Sequence, residues 1–103
     1  MAKRPKVLTK KEITKVMKVF HTWKVNKAGT EIQKTYEFPD FVYALAFVAK
    51  VSVHAEVMEH HPVIELSYGK VKIKLSTHEP KGLTKLDFHL AEKIDQIRLN
   101  TLV

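Results

Sequence analysis

The sequence predicts an α+β fold: a four-stranded antiparallel sheet from two hairpins with three helices packed on one face, in the order α-β-β-α-β-β-α. Three observations carry that expectation. Apolar residues recur at helical spacing in three separate stretches. Two pairs of short alternating runs lie between those stretches, each pair joined by a glycine-bearing turn. The chain has 103 residues, enough for one domain that buries about two-thirds of its unfolded surface. Hairpins that join edge to edge make one sheet, and helices on one face cover it.

Residues 1–8 read as a flexible basic tail, and residues 9–103 as the single domain. Thr9 and Glu12 have capping-box spacing, in which hydroxyl and carboxylate satisfy orphan amides. Ile13, Val16, Met17 and Phe20 then share one side of a helix expected to reach about Val19. Trp23 and Val25 begin the first hairpin, Lys27-Ala28-Gly29 turn it, and Ile32, Tyr36 and Phe38 alternate with polar residues on its second strand. Lys34 falls on the apolar side and is expected to snorkel. Asp40 caps a second helix. From Phe41 to Val51 this helix is apolar on nearly every side, so more than one face should be covered. Pro62 ends it, because a residue before proline is pushed out of helical geometry.

Val63–Tyr68 and Val71–Thr77 form the second hairpin around Gly69-Lys70. A two-residue loop there pairs Leu66 with Ile73, Ile64 with Leu75 and Glu65 with Lys74. His78 to Leu83 reads as a loop. Thr84 and Asp87 open the last helix with a second capping box, and Leu86, Leu90, Ile94 and Ile97 form its stripe.

Composition narrows the function. Hydrophobic residues are 45% and charged residues 28%, ordinary for a globular protein. There is no cysteine, which excludes disulfides, thiolate metal sites and thiol nucleophiles. No apolar run reaches the roughly 20 residues of a membrane span, and MAKRPK lacks the apolar core of a leader. A cytoplasmic location is expected, with the nucleus as second compartment. The net charge is +7. Residues 1–27 hold nine basic residues against one acid, +8, and the rest holds nine against ten, −1. This basic segment reads as a solvated face. Nucleic-acid binding is not expected, since no cluster of stacking aromatics accompanies the lysines.

Chemistry concentrates in His60-His61-Pro62 and Thr77-His78-Glu79. His60 should lie in the last turn of the second helix, where the dipole favours imidazolium. Glu56 lies four residues earlier, on the same face. His61, extended before proline, must point elsewhere, and His78 should end a strand. His21, His54 and His89 read as surface residues. Imidazoles in this number suit acid/base catalysis. They could also hold a metal, with His54, Glu56 or His78 as further ligands, but the spacing fits no closed site such as H-E-x-x-H, and no metal is expected.

Glu56, His60, His61 and Pro62, then Tyr68 and Val71, then Thr77, His78 and Glu79, then Gly82, Leu83, Thr84 and Asp87 together resemble the pterin-4a-carbinolamine dehydratases. The resemblance runs from about Trp23 to Ile97. It implies dehydration of a 4a-hydroxytetrahydropterin to the quinonoid dihydropterin, a step of tetrahydrobiopterin recycling. It implies His60, His61 and His78 as catalytic residues. Glu56, Glu59, Pro62, Thr77, Glu79, Pro80 and Asp87 would then bind substrate. No cofactor is implied, because the pterin is the substrate. Partners implied are a homo-oligomer, a tetramer or dimer, and, as in animal members, a transcription regulator whose dimer the protein stabilises. The sequence departs from many relatives at Val63-Ile64, where an acid and a tryptophan are common, at Glu59, where several have Asp, and at Lys81, where a small residue is usual.

Overall fold

The computed structural model describes residues 4–99. The chain forms α1 (Lys10–Val16), β1 (Lys24–Val25), β2 (Ile32–Glu37), α2 (Phe41–Met58), β3 (Val63–Ser67), β4 (Lys70–Leu75), β5 (Thr77–His78), β6 (Lys81–Gly82) and α3 (Lys85–Asp95). Four strands make one antiparallel sheet in the order β1-β2-β4-β3. The α+β architecture and its helix–hairpin order are those expected. The core joins Ile32, Val71, Ile73 and Leu75 of the sheet to Phe47 and Val51 of α2 and to Phe88, Leu90 and Ile94 of α3.

Several boundaries differ from the sequence reading. Both halves of the Thr9–Glu12 capping box form, but α1 stops at Val16. There the backbone tightens to three-residue bonds, Lys18 N to Lys15 O and Val19 N to Val16 O, and Val19 projects into solvent. Phe20 instead packs its ring on Phe88, centroids 5.3 Å apart. The expected tail is anchored before residue 9: the Leu8 amide donates to Leu83 O over 2.8 Å. Val7 lies against Gly82, where any Cβ would come within 2.9 Å of it. Residues 1–3 of that tail and 100–103 of the expected domain lie outside the described residues.

The second hairpin pairs Leu66 with Val71, Ile64 with Ile73 and Glu65 with Lys72, two residues away from the expected register. Tyr68 and Gly69 are the loop, not Gly69 and Lys70. Gly69 has φ +70° and its carbonyl accepts from the Phe38 amide at 2.8 Å, so the glycine is held in the second loop position. A slip of two leaves every side chain on its face. Lys74 still reaches Glu65, now diagonally, at 3.0 Å. The expected loop after β4 is also partly ordered, since Thr77 pairs with Gly82 and His78 with Lys81 in a small second ribbon.

Lys34 does not snorkel into water. It stands on the inner face opposite Ile73, and its ammonium lies 2.7 Å from Asp95 Oδ1 and 3.0 Å from Thr22 Oγ1. It also lies 4.8 Å from the Tyr36 ring centre. Asp95 accepts further bonds from Trp23 Nε1 at 2.9 Å and Tyr36 Oη at 2.5 Å. Partial burial pushes the Asp95 carboxyl up, but the bonds from Lys34, Tyr36 and Trp23 outweigh it and hold it below the usual carboxylate range. Tyr36 is pushed well above the usual phenol range, by burial first and by its bond to Asp95 second.

α2 is 18 residues long, about 27 Å. Contrary to the sequence expectation, it is long and apolar enough to cross a membrane. In this fold one of its stripes is core: Ala44, Phe47, Val51 and Ala55 are buried against the sheet and α3. The opposite stripe, Val42, Leu45, Val53 and Val57, is exposed.

Candidate functional site

The end of α2 sets the site. Asp40 opens the helix by accepting from the Tyr43 amide at 2.9 Å. Glu59 closes it in the left-handed region, φ 52° and ψ 41°. That residue reverses the chain direction, so His60 and His61 do not continue the helix faces. His60 lies two residues beyond Met58, and its amide folds back to Ala55 O at 3.0 Å. The expected pairing by helix spacing is therefore replaced. Glu56 bonds His61 Nε2, not His60, and both members of that pair are exposed.

His60 turns inward. Its Nε2 lies 2.6 Å from Asp87 Oδ1. Asp87 has 0% exposure, and its carboxylate is fully used. Oδ2 accepts from the Thr77 hydroxyl at 2.8 Å and from the Thr84 amide at 2.9 Å. The Thr77 hydrogen is thereby spent, so the Thr84 hydroxyl donates to Thr77 Oγ1 across 2.9 Å while accepting from the Leu86 amide. Among the described residues no buried side-chain polar atom is left without a partner. With both donors on Oδ2, Oδ1 is the acceptor that faces His60. Nε2 of His60 is then the donor of that contact.

Three chain segments are thus locked together: the end of α2, the start of β5 and the start of α3. The last capping box contributes directly, since Asp87 is both its third-position acid and the partner of His60. Two residues expected to bind substrate lie below the surface. Asp87 has no surface to offer a ligand, and Thr77 is 6% exposed. Thr84, read from the sequence as a cap and as part of the family pattern but not as a site residue, belongs to the same network; its spacing to Asp87 was the signal available. The remaining expected residues stand at the surface. His78 and Glu79 are exposed at the tip of the ribbon, and Pro62 and Pro80 are half-buried. Glu79 lies 3.8 Å from Arg4. No group of three or more His, Asp or Glu side chains is placed to share a metal ion among the described residues.

Comparison with known proteins bears on the family and the fold. The profile of the pterin 4 alpha carbinolamine dehydratase family matches residues 6–97. A protein of Nostoc punctiforme, provisionally named pterin-4-alpha-carbinolamine dehydratase, is 46% identical over 92 residues, 89% of this chain and 97% of its own. One of Sulfurisphaera tokodaii with the same provisional name is 41% identical over 92 residues, 89% of this chain and 97% of its own. The crystal structure of a transcriptional coactivator/pterin dehydratase from Brucella melitensis superposes with a TM-score of 0.83 at 30% identity, covering 87% of this chain and 96% of that one. A pterin dehydratase-like RuBisCO assembly factor of the alpha-carboxysome shares the fold, with a TM-score of 0.62 at 20% identity over 73% of this chain and 87% of its own. The buried acid that orients His60, the paired His61 and the exposed His78 thus stand on a fold and a sequence pattern with one common source: the chain belongs to the pterin-4a-carbinolamine dehydratase family.

Proposed function

We propose that this protein dehydrates a 4a-hydroxytetrahydropterin to the quinonoid dihydropterin, using His60, His61 and His78 as its proton-transfer groups. The C4a–O bond breaks, N5 gives up its proton, and a C4a=N5 double bond forms as water leaves. Hydroxide is a poor leaving group, so a proton delivered to it lowers the barrier, as does a base beside N5. Each transfer is worth about 10²–10⁴ in rate. The reaction needs no electron acceptor, and the substrate already carries its activated carbinolamine.

The observation that supports this reading best is the His60–Asp87 contact of 2.6 Å with Asp87 wholly buried. A carboxylate held on one ring nitrogen fixes the tautomer and balances a proton arriving on the other. The Glu56 carboxylate can do the same for His61, with less effect because both are in solvent. Glu59, Pro62, Glu79 and Pro80 surround these histidines in the chain and are assigned to substrate contacts.

The test is the rate of carbinolamine breakdown, followed by ultraviolet absorbance with and without the protein. His60→Ala and His78→Ala are each expected to slow it at least about tenfold. His21→Ala and His89→Ala, both at exposed positions, should leave it unchanged. Equal losses at all four positions would reject the assignment.

A second reading rests on a different observation. The exposed apolar stripe of α2 offers a contact surface for another protein, either a further copy of this chain or a transcription regulator. Coexistence of the two activities is consistent with the coactivator/dehydratase name of the Brucella relative.

A further inference from the structure

We propose that the cleft between the N-terminal segment, the β1–β2 turn and β6 binds a small organic anion with an apolar body, an aliphatic carboxylate being the simplest case. The cleft encloses about 400 Å³, within the range of small-molecule sites. Its apolar wall is Val7, Leu8, Ile13 and Val25, of which Ile13 is buried in the core. Its charged wall is Lys10, Lys27 and Lys81.

Two features of those lysines point to an anion. They come from three separate places, the first position of α1, the hairpin turn and β6, so local structure does not require them to meet. No acidic side chain lines the cleft, and none of the three has a carboxylate partner among the described residues. All three lysines are exposed around the cleft, so an anion seated on the apolar wall would lie in the field of positive charges that no carboxylate offsets. The other polar side chains at the turn engage one another: Asn26 donates to the Thr30 hydroxyl and accepts from the Thr30 and Glu31 amides, which leaves recognition of charge to the lysines. None of His60, His61 or His78 lines this cleft, so the inference stands apart from the dehydratase reading.

The experiment titrates the isotope-labelled full chain with sodium octanoate, octanol and octylammonium chloride, and reads backbone amide shifts. Octanoate is expected to shift Val7, Val25, Ala28 and Gly82 saturably, to bind at least about fivefold more tightly than octanol, and to do so where octylammonium does not bind at all; fivefold is about what one ammonium–carboxylate contact near 4 Å supplies in water. The double variant Lys27→Gln, Lys81→Gln should weaken octanoate at least about fivefold and leave octanol unchanged. Should that variant fold poorly, added salt on the unaltered protein gives the same reading, because it weakens octanoate and spares octanol. Equal affinity for octanoate and octanol would overturn the proposal. So would shifts confined to the Val42, Leu45 and Val53 face of α2, or no saturable shift at millimolar octanoate.

Discussion

Asp87 receives three hydrogen bonds in a place no water reaches, so its environment is built for a charged oxygen pair. Asp87→Asn puts an amide N–H₂ against either the His60 N–H or the two donors on Oδ2. Turnover is expected to fall about tenfold or more, and unfolding free energy to drop by about 1–3 kcal/mol for the group left unsatisfied. Carbinolamine breakdown and urea denaturation on one preparation separate the two effects. Undiminished turnover would remove Asp87 from the catalytic unit. Glu59 is a second residue where local chemistry and position conflict. A left-handed residue with a Cβ costs about 1–2 kcal/mol, and this one sits where the chain must reverse to send His60 inward and His61 back to Glu56.

α3 is tied to the sheet by an ion pair as well as by packing. Asp95 at its last turn gathers Lys34 and Tyr36 of β2 and the indole of Trp23. Its carboxyl titrates below the usual range in the folded protein. The stability it contributes is therefore complete above about pH 4, the unfolded value, and is lost as pH falls through the folded value. Urea midpoints of wild type and Asp95→Asn should differ at neutral pH and converge in acid; a gap that persists in acid would assign the effect to packing. α2 presents the other element-scale question. Val42 is 63% exposed and Leu45 51%, on a helix whose other stripe is core. A surface of that kind is expected to be covered by assembly. Val42→Asp should dissociate the oligomer, because a carboxylate would be buried without a partner. Light scattering that finds the unaltered protein as a monomer of 11.9 kDa at micromolar concentration would defeat this expectation and leave the histidine chemistry intact.

Across the whole molecule the charge is lopsided, with +8 in the first 27 residues and −1 in the rest. Val7 and Leu8 are anchored on the ribbon, so the removable part of the tail is shorter than composition suggests. Deleting residues 1–6 breaks only the exposed Arg4–Glu79 pair among the described contacts and should leave turnover nearly unchanged. DNA binding by the intact chain should be weak at low salt and collapse by physiological salt, since few phosphates can be neutralised. Sequence-selective binding that survives physiological salt, measured by fluorescence anisotropy, would give the basic segment a function of its own.

Local grammar determined much of this protein. Thr9 with Glu12, Asp40, and Thr84 with Asp87 each mark a helix start because a cap and its amides lie within three residues of one another. Strand alternation determined which side chains face the core, and a register slip of two could not alter that. The order of elements followed, and so did the family, from residues at both ends of the site. What only the tertiary structure decided concerns single residues whose partners are distant. The left-handed turn at Glu59 exchanged the partners of His60 and His61, and nothing in helix spacing encodes a reversal beyond the helix end. The burial of Asp87, which the sequence pattern does not show, arises because three segments meet around it. Lys34 looked like a charge misplaced on an apolar face until Asp95, 61 residues away, came to lie beside it. A counter-charge at that distance is brought close only by folding.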